Sequence, residues 1–191
     1  MLTDMMHIKV ATENYEKWLS KHLRLVPSDL AEKHRLMKED VFYFLRATYY
    51  RWAQHWDVVA GSMQKAPQTL AVLDLHIENF GTWRDADGRL VWGINDFDEV
   101  FPFAYPHDLV RLIVSAWFAC ASGKFSIDRE GALAAVLDGY ARALGDGPEP
   151  YVLEENHYWL REIALDDLRY WSVARQEAYA TPALATAAMS G

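Results

Sequence analysis

The sequence predicts a mostly helical α+β fold, and three observations support that prediction. Apolar residues recur at helical spacing over most of the chain. Residues 67–100 instead hold short apolar runs around an Asp-Gly turn, a pattern typical of a strand and a hairpin, and we expect a small sheet formed by residues 69–75 and the hairpin. The chain has 191 residues, 51% of them hydrophobic, which suits one domain with a sizeable core. We therefore expect a single domain over residues 1–191.

The N-terminal segment, residues 1–66, is predicted to be helical. A first amphipathic helix follows Thr12 as its cap, and its pattern stops near Pro27. A second helix, capped by Ser-Asp at its start, is expected over residues 28–37. An apolar stripe rich in aromatic residues predicts a third helix over 41–56, and we assign this stripe to the core.

The C-terminal segment, residues 101–180, is also predicted to be helical after an extended connection that two prolines mark. Residues 109–121 are apolar nearly all round, which predicts a helix buried at the centre of the domain. The remaining expected elements are a helix over 126–144 closed by Gly145, a last helix over 151–170, and a flexible tail over 181–191.

Composition narrows the class of partner. The formal net charge is -8, and a nucleic-acid-binding protein would normally show a basic stripe, so we expect no nucleic acid. The longest apolar run, residues 112–121, is too short to span a bilayer, and the N-terminus has no basic and apolar leader. The single cysteine, Cys120, permits no internal disulfide. We expect a cytoplasmic protein with a small-molecule substrate or a protein partner.

Residues 70–99 are the stretch that indicates chemistry. Asp74 and Asn79 are five residues apart after a strand-like run, so a loop of this length can point both side chains into one cleft. Phosphoryl transfer needs one carboxylate at the attacking hydroxyl and oxygen ligands for Mg²⁺. We assign the first role to Asp74 and the metal-binding roles to Asn79, Asp96 and Asp98.

The connection between these residues favours the same interpretation. Residues 80–83 and 90–94 are apolar or aromatic runs that flank the turn-forming sequence of residues 84–89. A hairpin of this kind would carry Asp96 back beside Asn79. The alternative is a surface hairpin whose acidic residues are only solvated.

Two further residues near the predicted loop have open roles. His76 is a candidate catalytic residue: as a neutral group it could steady the loop, and as a cation it could touch a transferring phosphate. A satisfied structural histidine is an equal alternative. Arg46 lies in the apolar stripe of the third predicted helix, where an unpaired charge is costly to bury. It is a candidate cofactor contact through phosphate, and a salt bridge to an acidic residue of the loop is the alternative.

Further segments extend the pattern on both sides of the loop. They are Lys33–Met37, Phe42–Arg46, and Asp108–Leu112 followed by Ser115. With the loop, they make the chain similar over about residues 30–120 to the bacterial family called domain of unknown function 2252, whose members resemble aminoglycoside phosphotransferases and protein kinases. The resemblance implies the catalytic-loop, C-terminal lobe of a kinase-like fold, with Mg²⁺ and ATP as cofactors.

The resemblance also implies a supporting role for Asp108. This residue lies at the start of the apolar helix, where a carboxylate can cap the helix or accept backbone N–H bonds from the loop. Two positions depart from the family pattern, since Leu73 and Ala47 stand where the family usually has glycine. The turns at these positions are therefore expected to be shaped differently.

The phosphate-binding elements of a kinase are missing from the sequence. It contains no G-x-G-x-x-G or G-x-x-x-x-G-K-[ST] string and no evident anchoring lysine. A partner chain could supply the nucleotide-binding lobe, or the protein could be an inactive binding or regulatory module that forms a homodimer. A third hypothesis is a metal-dependent phosphohydrolase that uses Asp74, His76, Asp96 and Asp98 with water as acceptor.

Overall fold

The computed structural model describes residues 6–147 and 149–162. In chain order the elements are α1 (Ile8–Leu19), α2 (Pro27–Glu39), α3 (Val41–Ala47), α4 (Tyr49–Val59), β1 (Gln68–Ala71), β2 (Phe80–Arg84), β3 (Leu90–Ile94), β4 (Phe101–Ala104), α5 (Pro106–Ala121), α6 (Arg129–Asp146), β5 (Tyr151–Val152) and α7 (Leu153–Asn156). The predicted α+β class with mostly helical content is confirmed.

The chain forms two compact units. The first consists of Met1–Asn79 with Asp96–Gly147, and the second of Phe80–Asn95 with residues from 148 onward, in each case as far as the structure describes them. The first unit holds α1 to α6 and the sheet of β1 and β4, and the second holds the other three strands and α7. The single domain over residues 1–191 stays a prediction.

The first two helices begin earlier than predicted. The side chain of His7 accepts a hydrogen bond from Lys9 N and caps α1, so Thr12 is not the cap. Thr12 instead donates its hydroxyl to Ile8 O, within the helix. Pro27 lies in the first turn of α2, where a missing N–H costs nothing, and Val26 rather than a Ser-Asp pair precedes the helix.

The third predicted helix is two helices. Thr48 breaks the pattern with φ -117° and donates its hydroxyl to Phe44 O at 2.6 Å. The core assignment of this stripe holds for Leu45 and Trp56, which are buried, but Val41 is 57% exposed and Phe44 38% exposed. The spacing of apolar residues indicates which side chains face the core, and it does not indicate whether the helix is continuous. The apolar pattern therefore runs across the break at Thr48.

The predicted sheet around residues 69–75 does not include the hairpin. In the first unit, β1 pairs antiparallel with β4, from Gln68 opposite Ala104 to Ala71 opposite Phe101. The proline-marked extended connection therefore contains β4, and residues 101–104 are not helical.

The predicted hairpin is confirmed in the second unit. Strand β2 pairs with β3 from Phe80 opposite Ile94 to Arg84 opposite Leu90, and β3 also pairs with β5. Gly88 takes φ +79° in the turn, a conformation that glycine adopts freely. Residues 151–152 form a strand before helical backbone resumes, which differs from the helix predicted over 151–170; its part beyond residue 162 lies outside the described residues.

The apolar helix predicted over 109–121 is α5. It contacts α3, α6 and the loop after β1, and its buried residues include His107, Arg111 and Ser115. Helix α6 ends at Asp146 and is closed by Gly147, two residues beyond the predicted Gly145, so Gly145 lies inside the helix. Among the described helices, none combines the length and apolar character that a membrane crossing needs. The predicted tail over 181–191 lies outside the described residues.

Candidate active site

One face of α5 holds the loop that follows β1. Asp108, Arg111 and Ser115 are spaced i, i+3 and i+7, which places them on one side of a helix. Each of the three bonds to the loop at successive points: Asp108 at Val72 and Leu73, Arg111 at Asp74, and Ser115 at Ile77. The predicted catalytic loop is therefore fixed along its length by a polar stripe on an apolar helix.

Asp108 braces the turn before Asp74. Its Oδ2 accepts from Val72 N at 2.6 Å and its Oδ1 from Leu73 N at 3.0 Å, which are the backbone bonds expected of a carboxylate at this helix start. Leu73 adopts φ +75°, a region in which a residue with a Cβ is strained by roughly 1–2 kcal/mol. The two hydrogen bonds hold this turn in place, and its shape is one that glycine would take without strain.

Arg111 forms a buried ion pair with Asp74. Its Nε lies 3.1 Å from Asp74 Oδ1, and its Nη2 also bonds this oxygen. Nη2 additionally donates to Leu45 O at 2.8 Å, and the guanidinium lies over the rings of Tyr49 and Trp52 at 5.3 and 5.0 Å. The side chain of Arg111 is 1% exposed, so its partners must satisfy the charge that water would otherwise solvate.

The two oxygens of Asp74 have different environments. Within the described residues, Oδ2 accepts no hydrogen bond, and the side chain keeps 18% of its surface exposed. Burial raises the pKa of Asp74 above its ordinary value, although Arg111 and Arg46 both act to lower it. A partly buried carboxylate with one fixed and one available oxygen suits a general base.

His76 is buried, and its surroundings favour the neutral imidazole. The residue is 2% exposed, its Nδ1 accepts from Glu78 N at 3.2 Å, and its ring packs edge-on against Phe42. Burial, with Arg46 and Arg111 adding to the effect, lowers the pKa of His76 to about 4. The geometry matches the neutral, loop-steadying alternative more closely than a phosphate-binding cation.

Asn79 and Asp96 are in hydrogen-bond contact, as the predicted hairpin implies. Asn79 Nδ2 donates to Asp96 Oδ2 at 3.3 Å, and Asn79 is 3% exposed. Its amide oxygen accepts from His76 N at 2.6 Å, so the oxygen proposed as a metal ligand is engaged within the loop. As oriented here, Asn79 positions the carboxylate of Asp96, and direct metal ligation would require its amide to turn over.

The carboxylates after the hairpin are less constrained than those of the loop. Asp98 N lies 3.5 Å from Asp96 Oδ1, and both Asp98 and Glu99 are exposed. Desolvation of the carboxyl group, together with the carboxylates of Asp74, Asp96 and Asp98, raises the pKa of Glu99 although the residue is exposed, which places Glu99 in the same electrostatic cluster.

The acidic cluster offers only a small number of protein ligands to a Mg²⁺ ion. No group of three or more His, Cys, Asp or Glu side chains within residues 6–147 and 149–162 is arranged to hold a metal ion. Mg²⁺ in phosphotransferases commonly takes one or two carboxylates and completes its shell with water and substrate phosphates. The carboxylates of Asp96 and Asp98 are the protein ligands that such an ion would find here.

Arg46 is exposed and paired, which corrects its expected position. Its side chain on α3 is 41% exposed, and Nη1 lies 3.3 Å from Glu78 Oε2. The apolar stripe predicted a buried charge at this position, and the exposure of Arg46 shows that this expectation is wrong. The salt-bridge alternative agrees with this contact, and a role in cofactor binding stays a prediction.

Sequence reasoning missed three residues of the site. Arg111 and Ser115 belong to the motif after the hairpin, but no role is predicted for them, and Glu99 is not among the predicted site residues. A usable signal was present for the first two, since polar residues at i, i+3 and i+7 on an otherwise apolar helix indicate a buried polar contact. The pairing of Arg111 with Asp74 spans 37 residues and depends on the tertiary fold.

With this geometry established, comparison with known proteins gives the family. The chain belongs to an uncharacterised family of bacterial proteins. The family model that matches is described as an uncharacterized protein conserved in bacteria (DUF2252), and it covers residues 24–180. No curated protein and no solved structure matches the chain significantly.

Proposed function

We propose that the protein is a kinase-like phosphotransferase that moves the γ-phosphoryl group of ATP to a hydroxyl of a small molecule. The observation that carries the proposal is the contact of Asn79 with Asp96, because it joins the loop of Asp74 to the carboxylates after the hairpin. A base and a candidate metal ligand then belong to one site.

In this proposal Asp74 is the catalytic base. Arg111 fixes Oδ1, so Oδ2 is the oxygen that accepts a hydrogen bond and then the proton of the acceptor hydroxyl. His76 and Asp108 hold the loop and make no contact with substrate. When bound, Mg²⁺ would neutralise the charge of the donor phosphates, with Asp96 and Asp98 as its protein ligands.

The proposed reaction also needs a nucleotide-binding lobe. The sequence has no glycine-rich loop or evident anchoring lysine, so we propose that a partner chain or a second copy completes nucleotide binding. Such an assembly would act in the bacterial cytoplasm.

A second candidate function is an inactive kinase-like binding or regulatory module. The engaged amide oxygen of Asn79 favours it, since a residue used within the loop is not free to bind a metal ion. A module of this kind would keep the loop for folding and would show no Mg²⁺-dependent behaviour.

The test uses transfer of phosphate from radiolabelled Mg·ATP to a panel of small-molecule alcohols. Asp74→Asn should reduce transfer by about 10²-fold or more, because removal of a general base typically has this effect, while nucleotide affinity stays unchanged. Asp57→Asn, at an exposed site on α4, is the control and should behave as wild type. Equal transfer by Asp74→Asn and wild type would rule out Asp74 as the base. Absence of transfer in wild type, together with identical behaviour in the presence and absence of Mg²⁺, would favour the inactive module.

A further inference from the structure

We propose that Arg46 and Lys124 form a binding seat for one anionic group of the phosphoryl donor, and that the Glu78 carboxylate occupies this seat in the present structure. The identity of the anion rests on the proposed function. The existence of the seat rests on the geometry of the three side chains alone.

The Glu78 carboxylate lies between two cations. Its Oε2 is 3.3 Å from Arg46 Nη1, and its Oε1 is 3.3 Å from Lys124 Nζ. Each cation therefore engages a different oxygen of one anionic group. A phosphate group also presents two oxygens to neighbouring donors, so the same two cations can bind it once Glu78 moves away.

A backbone hydrogen bond and the aromatic ring of a buried residue fix the position of Lys124. Gly123 takes φ +75° after the end of α5, and Lys124 N donates to Ala119 O at 3.0 Å, which closes the helix. Lys124 Nζ also lies 5.1 Å from the centre of the Phe42 ring, which is itself buried. The lysine is therefore directed toward Glu78 by contacts other than the ion pair.

The seat adjoins the proposed reaction centre. Glu78 lies next to Asn79, and its backbone N–H donates to His76 Nδ1. Arg46 is close enough to Asp74 and His76 that its charge lowers the pKa of both side chains. Two cations against one carboxylate leave an excess positive charge at this point, beside a cluster of acidic residues that would repel an anion.

The seat is accessible to a solute. The side chains of Arg46, Glu78 and Lys124 are 41%, 44% and 50% exposed. Exposed ion pairs contribute little to stability because water solvates both partners well. Glu78 can therefore leave the seat at small cost when a more highly charged anion arrives.

The experiment measures binding of inorganic triphosphate by calorimetry, with a chelator present and without nucleotide. Glu78→Ala should bind at least about 10-fold more tightly than wild type, because it vacates the seat. Glu39→Ala is the matched control, since Glu39 is also an exposed carboxylate paired with an arginine, Arg35, and its loss changes the net charge equally. This control should bind as wild type does.

Variants of the cations complete the test. Lys124→Met or Arg46→Met, added to Glu78→Ala, should cancel the gain, whereas Lys17→Met on the exposed face of α1 should not. Equal affinities of Glu78→Ala and Glu39→Ala, or a gain that survives Lys124→Met, would overturn the proposal. Because the test needs no metal, nucleotide or acceptor, its result is independent of whether phosphoryl transfer is found.

Discussion

The loop before the hairpin and the acidic segment after it differ in how firmly the protein holds them. From Val72 to Asn79, side chains of α5 and of the loop itself bond the backbone or the carboxylate of Asp74. From Asp96 to Val100, the described contacts are few: Asn79 donates to Asp96, Asp98 N lies at 3.5 Å, and Val100 N bonds Phe97 O at 3.3 Å. The fold therefore preorganises the first region, and in the proposed function the second region gains its contacts when a cation binds.

The largest expected effect comes from removing the buried ion pair between Arg111 and Asp74 in the firmly held loop. Arg111→Met removes the guanidinium and leaves Asp74 without its partner, so the free energy of unfolding should fall by about 3–5 kcal/mol. Urea denaturation measures this change. The control Arg35→Met loses two exposed ion pairs on α2 and should leave the midpoint unchanged. Similar urea midpoints for both variants would show that the ion pair between Arg111 and Asp74 does not stabilise the fold.

Asp108→Asn tests the brace of the strained turn. Both oxygens of Asp108 accept backbone N–H bonds, and asparagine offers only one acceptor, so we expect a loss of about 2–3 kcal/mol. Asp40→Asn is a close control because Asp40 caps α3 through one oxygen, and asparagine caps a helix about as well as aspartate. An equal loss of unfolding free energy in Asp108→Asn and Asp40→Asn would contradict the bracing role of Asp108.

The pH dependence of stability tests the burial of His76. Its pKa is lowered to about 4 from 6.5, mainly by burial, so the unfolded chain binds a proton that the folded chain excludes. Stability should therefore decrease as the pH falls from 6.5 toward 4, by up to about 1.4 kcal/mol per pH unit from this group. His76→Asn retains an acceptor for Glu78 N and should remove that part of the slope. Parallel curves of stability against pH for wild type and variant would show that His76 is not shielded from water in the folded chain.

The smallest effect concerns Leu73. Because its φ is +75°, Leu73→Gly should be more stable than Leu73→Ala by about 1 kcal/mol, the reverse of the order at ordinary positions. Both variants lose the same packing, so the comparison isolates backbone strain. Thermal denaturation of the pair is sufficient, and a more stable alanine variant would argue against a left-handed turn at this point.

The parts of the fold that the sequence predicted are those with local causes. An Asp-Gly turn between apolar runs specifies the hairpin, and the hairpin brings Asp96 to Asn79. The apolar run of α5 specifies its burial and places Asp108 at its first turn. These features depend on residues close together in the sequence.

The features that were missed depend on tertiary contacts. Residue spacing alone does not reveal the pairing of β1 with β4, because the connecting chain includes the whole hairpin. The break at Thr48 depends on a hydroxyl that bonds Phe44 O, and the helical stripe continues across it. The partner of Arg111 lies in a loop 37 residues away, so its role became visible only in the structure.

The most direct test of the central claim is Mn²⁺ binding in the presence of ATP, followed by electron paramagnetic resonance. If the carboxylate of Asp96 binds a divalent cation beside Asp74, which Arg111 holds in place, Asp96→Asn should weaken Mn·ATP binding at least about 10-fold relative to wild type. Asp57→Asn makes the same charge change at an exposed position and should bind as wild type. Equal binding by Asp96→Asn and wild type would contradict the claim that these two carboxylates form one reaction centre.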